Sequence, residues 1–384
     1  MLFSCNDEEN AVPVDPVAEV LNLPESPFDY ENLPFSSFMN GTVLGFDNTP
    51  NNNPITNDGA TLGRVLFYDT NLSENNTISC ASCHKQENSF SDPGIKSTGF
   101  LGGLTRRNSM PLINIRFYQD IKMFWDHRAD SLEDQVLRPV QDPIEMGMPI
   151  PVLIDRLSQL EYYNALFTNA YGDETITPDR IAEALSQFVR SIISFNSKYD
   201  EGLAQAGSIL EDFPNFTEEE NLGRFIFTGQ YDPGLMGNCA SCHLPNSTPI
   251  FLDEVNANHI IFSGNEPKNI GLDEDFNVED NGVGEVEDNE SLYGFFKSPT
   301  IRNIELTAPY MHDGRFATLE EVIDHYSEGV KYHPNLSATM VQPWDEPVLL
   351  DFTQEQKDAL IAFMKTLTDN IVISDEKYSD PFIN

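Results

Sequence analysis

The pentapeptide Cys-Ala-Ser-Cys-His occurs twice in this chain, as Cys80 to His84 and as Cys239 to His243. Its surroundings recur as well. "LGRVLFYD" (Leu62 to Asp69) precedes the first copy and "LGRFIFTG" (Leu222 to Gly229) precedes the second. Downstream, "SMPLINI" (Ser109 to Ile115) matches "SPTIRNI" (Ser298 to Ile304), and "DHRADSLEDQV" (Asp126 to Val136) matches "DGRFATLEEVI" (Asp313 to Ile323). Four landmarks in one order mark a duplicated module, so the chain has to fold as two related halves.

A Cys-x-x-Cys-His run is the covalent attachment signal for c-type haem. Thiols three residues apart reach the two vinyl groups on one porphyrin edge, and the adjacent histidine turns beneath the ring toward iron. A four-cysteine zinc site is the competing use of two such pairs. It leaves a histidine after each pair without a task, and it does not suit two halves that each carry a full set. The motifs therefore predict two covalent c-type haems, attached through Cys80 and Cys83 and through Cys239 and Cys242, with His84 and His243 as proximal iron ligands. Such attachment happens outside the cytoplasm.

The rest of the chain fits an exported globular protein. No apolar run is long enough to span a membrane. The net charge of −40 argues against nucleic acid, since polyanions repel, and suits either a basic partner protein or a solubilising surface. Cys5, in "MLFSCNDEEN", resembles the end of a bacterial lipoprotein signal, which would lipidate that cysteine and anchor the chain at the periplasmic or cell-surface side of the envelope. Residues 1–56 read as this leader and a wrapping segment rich in Pro, Asn and acids. Residues 57–205 read as the N-terminal domain, 206–370 as the C-terminal domain and 371–384 as a tail, with the linker near Asp200 to Phe216. Helical spacing runs from Ser158 to Ala170 and from Pro178 to Phe195. Ser131-x-x-Asp134 and Thr318-x-x-Glu321 read as capping boxes. The acidic stretch Leu272 to Glu290 carries Val278 where an EF-hand needs glycine, and reads as a solvated loop. The expected fold is mainly α: two cytochrome c-like domains with long loops and little β structure.

Together with the two motifs, "FWDHRA" (Phe124 to Ala129), "LEDQVLRPVQDPIEM" (Leu132 to Met146) and "IRNIELTAPYMHDGRFATLEEV" (Ile301 to Val322) resemble the di-haem bacterial cytochrome c peroxidase family, which includes the MauG-type enzymes. The resemblance covers about Asn57 to Thr368. It implies that the N-terminal haem is the peroxidatic one, with Gln135 and Glu145 on its distal side. A carboxylate there can move a proton between the two peroxide oxygens, and an amide can orient them. Gln135 shares a helical face with Leu132 and Val136, which points it inward. Trp125 matches the tryptophan that passes electrons between the haems. Asn108, Thr307 and Pro309 match inter-domain Ca²⁺ ligands, the first through its side-chain oxygen and the others through backbone carbonyls.

Two departures from the commoner family pattern matter. No histidine lies between His84 and His127, so the loop around Phe100 has none to close the peroxidatic iron, which should be five-coordinate at rest. The family's methionine ligand to the electron-transfer haem falls on Tyr326, as in MauG-type enzymes, with His325 and Met340 as rivals. Two functions stay open. One is a peroxidase reducing hydrogen peroxide to water with electrons from a small cytochrome c or cupredoxin. The other is a MauG-like enzyme using a high-valent di-haem state to oxidise Trp or Tyr residues of a partner protein. A plain electron-transfer cytochrome would leave Gln135 and Glu145 without a role.

Overall fold

The computed structural model describes residues 15–33, 43–206, 208–231, 239–243, 261–264, 266–275 and 279–383; Cys5 lies outside them. Among the described residues the protein is mainly helical, and its only β pairing is a set of isolated bridges.

Two helix pairs build the two cores: α1 (Asn57–Tyr68) against α2 (Pro178–Ser191), and α3 (Glu218–Phe227) against α4 (Gln354–Lys365). Each helix starts on a threonine whose hydroxyl accepts a backbone N–H one turn on: Thr56, Thr177, Thr217 and Thr353. The glycine of each "LGR" landmark makes the close approach. A Cβ at Gly63 would run into the Ala184 carbonyl, and one at Gly223 into the Ala359 carbonyl. Beside each glycine an aromatic pair repeats. Phe67 meets Phe188 and Phe227 meets Phe363, both with ring centroids 5.2 Å apart. The arginine of each landmark is buried and bound to backbone carbonyls, Arg64 to Ser379 and Arg224 to Ile209 and Glu211.

The later landmarks repeat in geometry too. Asn114 and Asn303 both adopt left-handed backbone, at φ 56° and 55°, before a short 3-10 turn. Asp126 pairs with Arg128 and Asp313 with Arg315 across matching turns closed by the bridges Met123–Ala129 and Tyr310–Phe316. The first apolar cluster takes in Leu21 and Tyr30, α1, α2 and, from the far end of the chain, Val372 and Tyr378. The second takes in Val43, Phe117 and residues from Ile193 to Leu367, including α3 and α4.

Several sequence readings need adjustment. The helix read as Pro178 to Phe195 stops at Ser191, because the Asn114 side chain holds both the N–H and the carbonyl of Ser194 in a non-helical conformation. The helix read from Ser158 spans Glu161–Tyr171. Thr318 and Glu321 form a full capping box. Ser131 caps the Asp134 N–H, but the shorter Asp134 side chain reaches Asp130 N–H instead of closing the box. The stretch read as a linker holds a helix, Lys198–Ala206, whose Tyr199 and Leu203 are buried in the second core. The acidic stretch is not simply solvated: Val283–Glu287 is helical, and Asp280 forms a two-pronged pair with Arg107, at 2.6 and 2.7 Å.

Gly63→Ala and Gly223→Ala should each force a helix pair apart and cost about 1–3 kcal/mol. Thermal unfolding of the two variants should show a clear loss for each; an unchanged midpoint would contradict the close contact.

Candidate haem sites

Cys80–Cys83 forms a single helical turn, and the His84 N–H closes it onto the Cys80 carbonyl at 3.0 Å. The second motif repeats the arrangement, with His243 N–H on the Cys239 carbonyl at 3.1 Å. In both, the imidazole Nδ1 faces a backbone carbonyl: Phe90 at 2.9 Å for His84 and Pro299 at 3.2 Å for His243. Nδ1 then carries the hydrogen, and Nε2 is left as the ligating atom. Burial lowers the pKa of both histidines, His243 to about 4, which keeps the rings in the neutral, ligating form. Burial pushes the Cys80 and Cys239 thiols up to about 12 and Cys83 to about 11. None of the four cysteines is in a disulfide. Paired free thiols and neutral imidazoles on these cavities are what thioether attachment and axial ligation require, so the residues fit c-type haem at both motifs.

On the first side, His84 lines a cavity of about 320 Å³ together with Gln135, Glu145, Trp125 and Tyr118. A smaller pocket of about 70 Å³ continues it between Cys80, Cys83, His84, Gln135 and Glu145. Gln135 comes from the short helix Leu132–Val136, whose Leu132 and Val136 are buried. Glu145 is held differently. The Phe100 N–H donates to its carbonyl, and a Cβ on Gly99 would collide with the Ile144 carbonyl, so the loop around Phe100 lies directly on residues 144–145. Desolvation, with the Asp142 charge adding to it and Arg128 opposing, raises the Glu145 carboxyl to about 7. Among the described residues lining both pockets, His84 is the only histidine. The next one along the chain, His127, is turned toward Tyr118 and Asp120.

On the second side, Cys239, Cys242, His243, Tyr326 and Met340 line one pocket of about 70 Å³. Tyr326 belongs to a π-helical turn, His325–Gly329, that follows the helix Leu319–Asp324. Burial keeps its hydroxyl well above the usual phenol range, so a tyrosinate there needs a metal cation as partner. His325 drops out as a rival: its Nε2 faces the Ile270 carbonyl at 3.0 Å, and it lines neither second-side cavity. Met340 stays in the cavity beside Tyr326.

Trp125 stands on the wall between the two sides, lining both the first cavity and a second-side cavity of about 150 Å³ that reaches Cys242 and His243. Its indole N–H donates to the Asn108 carbonyl at 2.9 Å. Asn108, Thr307 and Pro309 all line that second-side cavity. Two residues of this wall escaped sequence reasoning. Arg107 joins Asp126 of the first half to Asp280 of the second. Lys297 lines both large cavities with its ammonium buried, which lowers its pKa to about 7. A single lysine in a loop without helical or strand period carries no sequence signal of such burial.

Comparison with known proteins agrees with this geometry. The sequence profile of the di-haem cytochrome c peroxidase family matches residues 57–208. The methylamine utilization protein MauG of Methylorubrum extorquens is 31% identical over 83% of this chain and 80% of that protein. The cytochrome c551 peroxidase of Nitrosomonas europaea is 28% identical over 82% of this chain and 81% of that protein. A crystal structure of a MauG-like protein associated with microbial copper homeostasis superposes with a TM-score of 0.70 at 31% identity, covering 91% of this chain and 99% of that one. The di-haem peroxidase BthA of Burkholderia thailandensis shares the fold, with a TM-score of 0.66 at 21% identity over 86% of this chain and 91% of its own. The chain belongs to the di-haem cytochrome c peroxidase family. It is an oxidoreductase of that class with two c-type haems.

Besides His243, the side chains of the second pocket that could ligate iron include Tyr326, Met340 and Met364, and Tyr326 is expected to be the ligand. In the ferric holoprotein, Tyr326→Phe should change the low-spin electron paramagnetic resonance signal and Met340→Leu should leave it; the reverse result would make methionine the ligand.

Proposed function

We propose that the protein reduces hydrogen peroxide in the first cavity with electrons delivered from the side of the second motif by a small redox protein, a cytochrome c or a cupredoxin. The observation that carries this reading is the joining of Glu145, Gln135 and His84 on one cavity, with no second histidine on its walls among the described residues. Held by Cys80, Cys83 and His84, a c-type haem would supply redox-active iron for the peroxide chemistry. Glu145 takes the proton from one peroxide oxygen and returns it to the other, and a carboxyl near pH 7 is poised for both acts. Gln135 holds the peroxide by hydrogen bonding. Trp125 carries electrons across the wall from the side of His243. A Ca²⁺ ion held by Asn108, Thr307 and Pro309 would stiffen that wall with hard oxygen donors. The acidic leader and Cys5 fit export and a lipid anchor at the periplasmic or cell-surface side.

A second reading has its own support. Tyr326 in the second cavity and relatives named MauG favour an enzyme that oxidises Trp or Tyr residues of a partner protein. An anionic tyrosine ligand lowers the haem potential and favours higher oxidation states.

Stopped-flow mixing of the fully ferric protein with hydrogen peroxide tests the first reading. The ferric protein should show a high-spin signal and react without prior reduction, then return quickly once a reduced cytochrome is added. Two purely low-spin haems would refute the open site, and a long-lived oxidised spectrum would favour the partner-modifying reading. Glu145→Gln should slow the peroxide reaction about 10²–10⁴-fold. The wild-type rate should rise as pH passes upward through about 7, because the carboxylate is the form that accepts a proton, and the variant should lose that rise. Near-normal turnover in the variant would remove Glu145 from the mechanism.

A further inference from the structure

His127 stands where the second half of the duplicated sequence has Gly314, and both have left-handed backbone, at φ 59° and 68°. Glycine adopts that conformation freely, whereas a histidine does so at a steric cost. The first half bears this cost at a buried position, and the imidazole is fully engaged. His127 is 6% exposed. Its Nδ1 lies 3.2 Å from Asp120 Oδ2, and its Nε2 lies 3.1 Å from the Tyr118 hydroxyl. The carboxylate takes the Nδ1 hydrogen, so Nε2 is bare and the Tyr118 O–H donates to it.

Tyr118 is 1% exposed, yet it lines the same cavity as His84 and Glu145. Burial holds its phenol above the ordinary range. Burial together with Lys297 and Lys122 lowers His127 to about 3. Phenol and imidazole are therefore both neutral, and the proton between them has no reason to move in the resting protein. Loss of an electron from the ring reverses this, because an oxidised phenol is a strong acid. In its ammonium form Lys297, with Nζ 3.3 Å from the Tyr118 ring centroid, resists that loss, which reserves it for a strong oxidant.

We propose that Tyr118 is a redox-active residue of the first cavity, with His127 as its proton acceptor and Asp120 as the anchor of that ring. Tyr118 gives one electron to the peroxide-oxidised first centre and its phenolic proton to His127 Nε2. A neutral phenoxyl and an imidazolium–carboxylate pair remain. The electron is one of the two consumed when hydrogen peroxide becomes water. One electron from the donor later restores the phenol, and the proton returns from Nε2. The inference rests on the reading that peroxide reacts in the first cavity.

The test uses holoenzyme grown with ring-deuterated tyrosine, mixed with hydrogen peroxide, freeze-quenched, and followed by electron paramagnetic resonance beside the optical spectrum. The wild type should give a phenoxyl signal narrowed by deuteration, with the reduced g anisotropy of a hydrogen-bonded oxygen. Tyr118→Phe should abolish it. His127→Gly restores the residue that suits a positive φ, so the fold should be retained; the signal should then form about 100-fold more slowly and lose its hydrogen-bonded character. A signal that survives Tyr118→Phe, or one unaltered in rate and anisotropy by His127→Gly, overturns the proposal. An optical change with peroxide but no Tyr118 signal overturns this inference alone, whereas an optical spectrum unmoved by peroxide overturns the peroxide reading as well.

Discussion

Asn108 is the point on which the arrangement of the two haem sites turns. Its carbonyl accepts the Trp125 indole N–H, its own N–H donates to the His312 carbonyl, and its side-chain amide reaches the Gly94 carbonyl. One buried residue thus joins the loop after the first motif, the tryptophan of the dividing wall and the turn of the second half. Arg107 next to it adds charge to the same seam through Asp126 and Asp280. Breaking a buried network of this kind leaves unsatisfied groups that cost far more than any one bond contributes, so the seam holds its geometry as a unit.

Much of this was legible in the sequence, and the reason is physical. The two halves repeat because the same contacts recur: a glycine against a helix carbonyl, an aromatic pair one turn away, an asparagine in a left-handed turn. Each needs a particular residue type at a particular place, so each leaves a mark. Gln135 was named through family likeness, and the helical period added only the direction of its face. Glu145 lacked even that directional support, because its position depends on Gly99 and Phe100 packing against residues 144–145, a contact without local period. The rivals to Tyr326 needed coordinates too: His325 and Tyr326 are neighbours in sequence, and only the π-helical turn decides that one faces the cavity while the other faces the Ile270 carbonyl.

The charge distribution is as informative as the total. Arg64, Arg107, Arg116, Arg190, Arg224, Arg302 and Lys297 are all buried. Several are matched by carboxylates, as Arg302 is by Asp200 and Arg190 by Glu133. A large share of the few basic groups is therefore withdrawn from the surface, and the exterior is more uniformly acidic than the net charge of −40 conveys. Such a surface steers cations and basic proteins inward at a rate that falls with ionic strength.

The first core is not closed by the first half of the chain alone. Val372 and Tyr378 belong to it, the Tyr378 hydroxyl donates to the Ser191 carbonyl, and Asn22 N–H donates to the Pro381 carbonyl. In topological terms the second half is an insertion into the first. A chain synthesised from its N-terminal end therefore presents Cys80 and Cys83 before the residues that complete their domain have emerged. Until Val372 and Tyr378 arrive, the core beside the first motif lacks part of its wall.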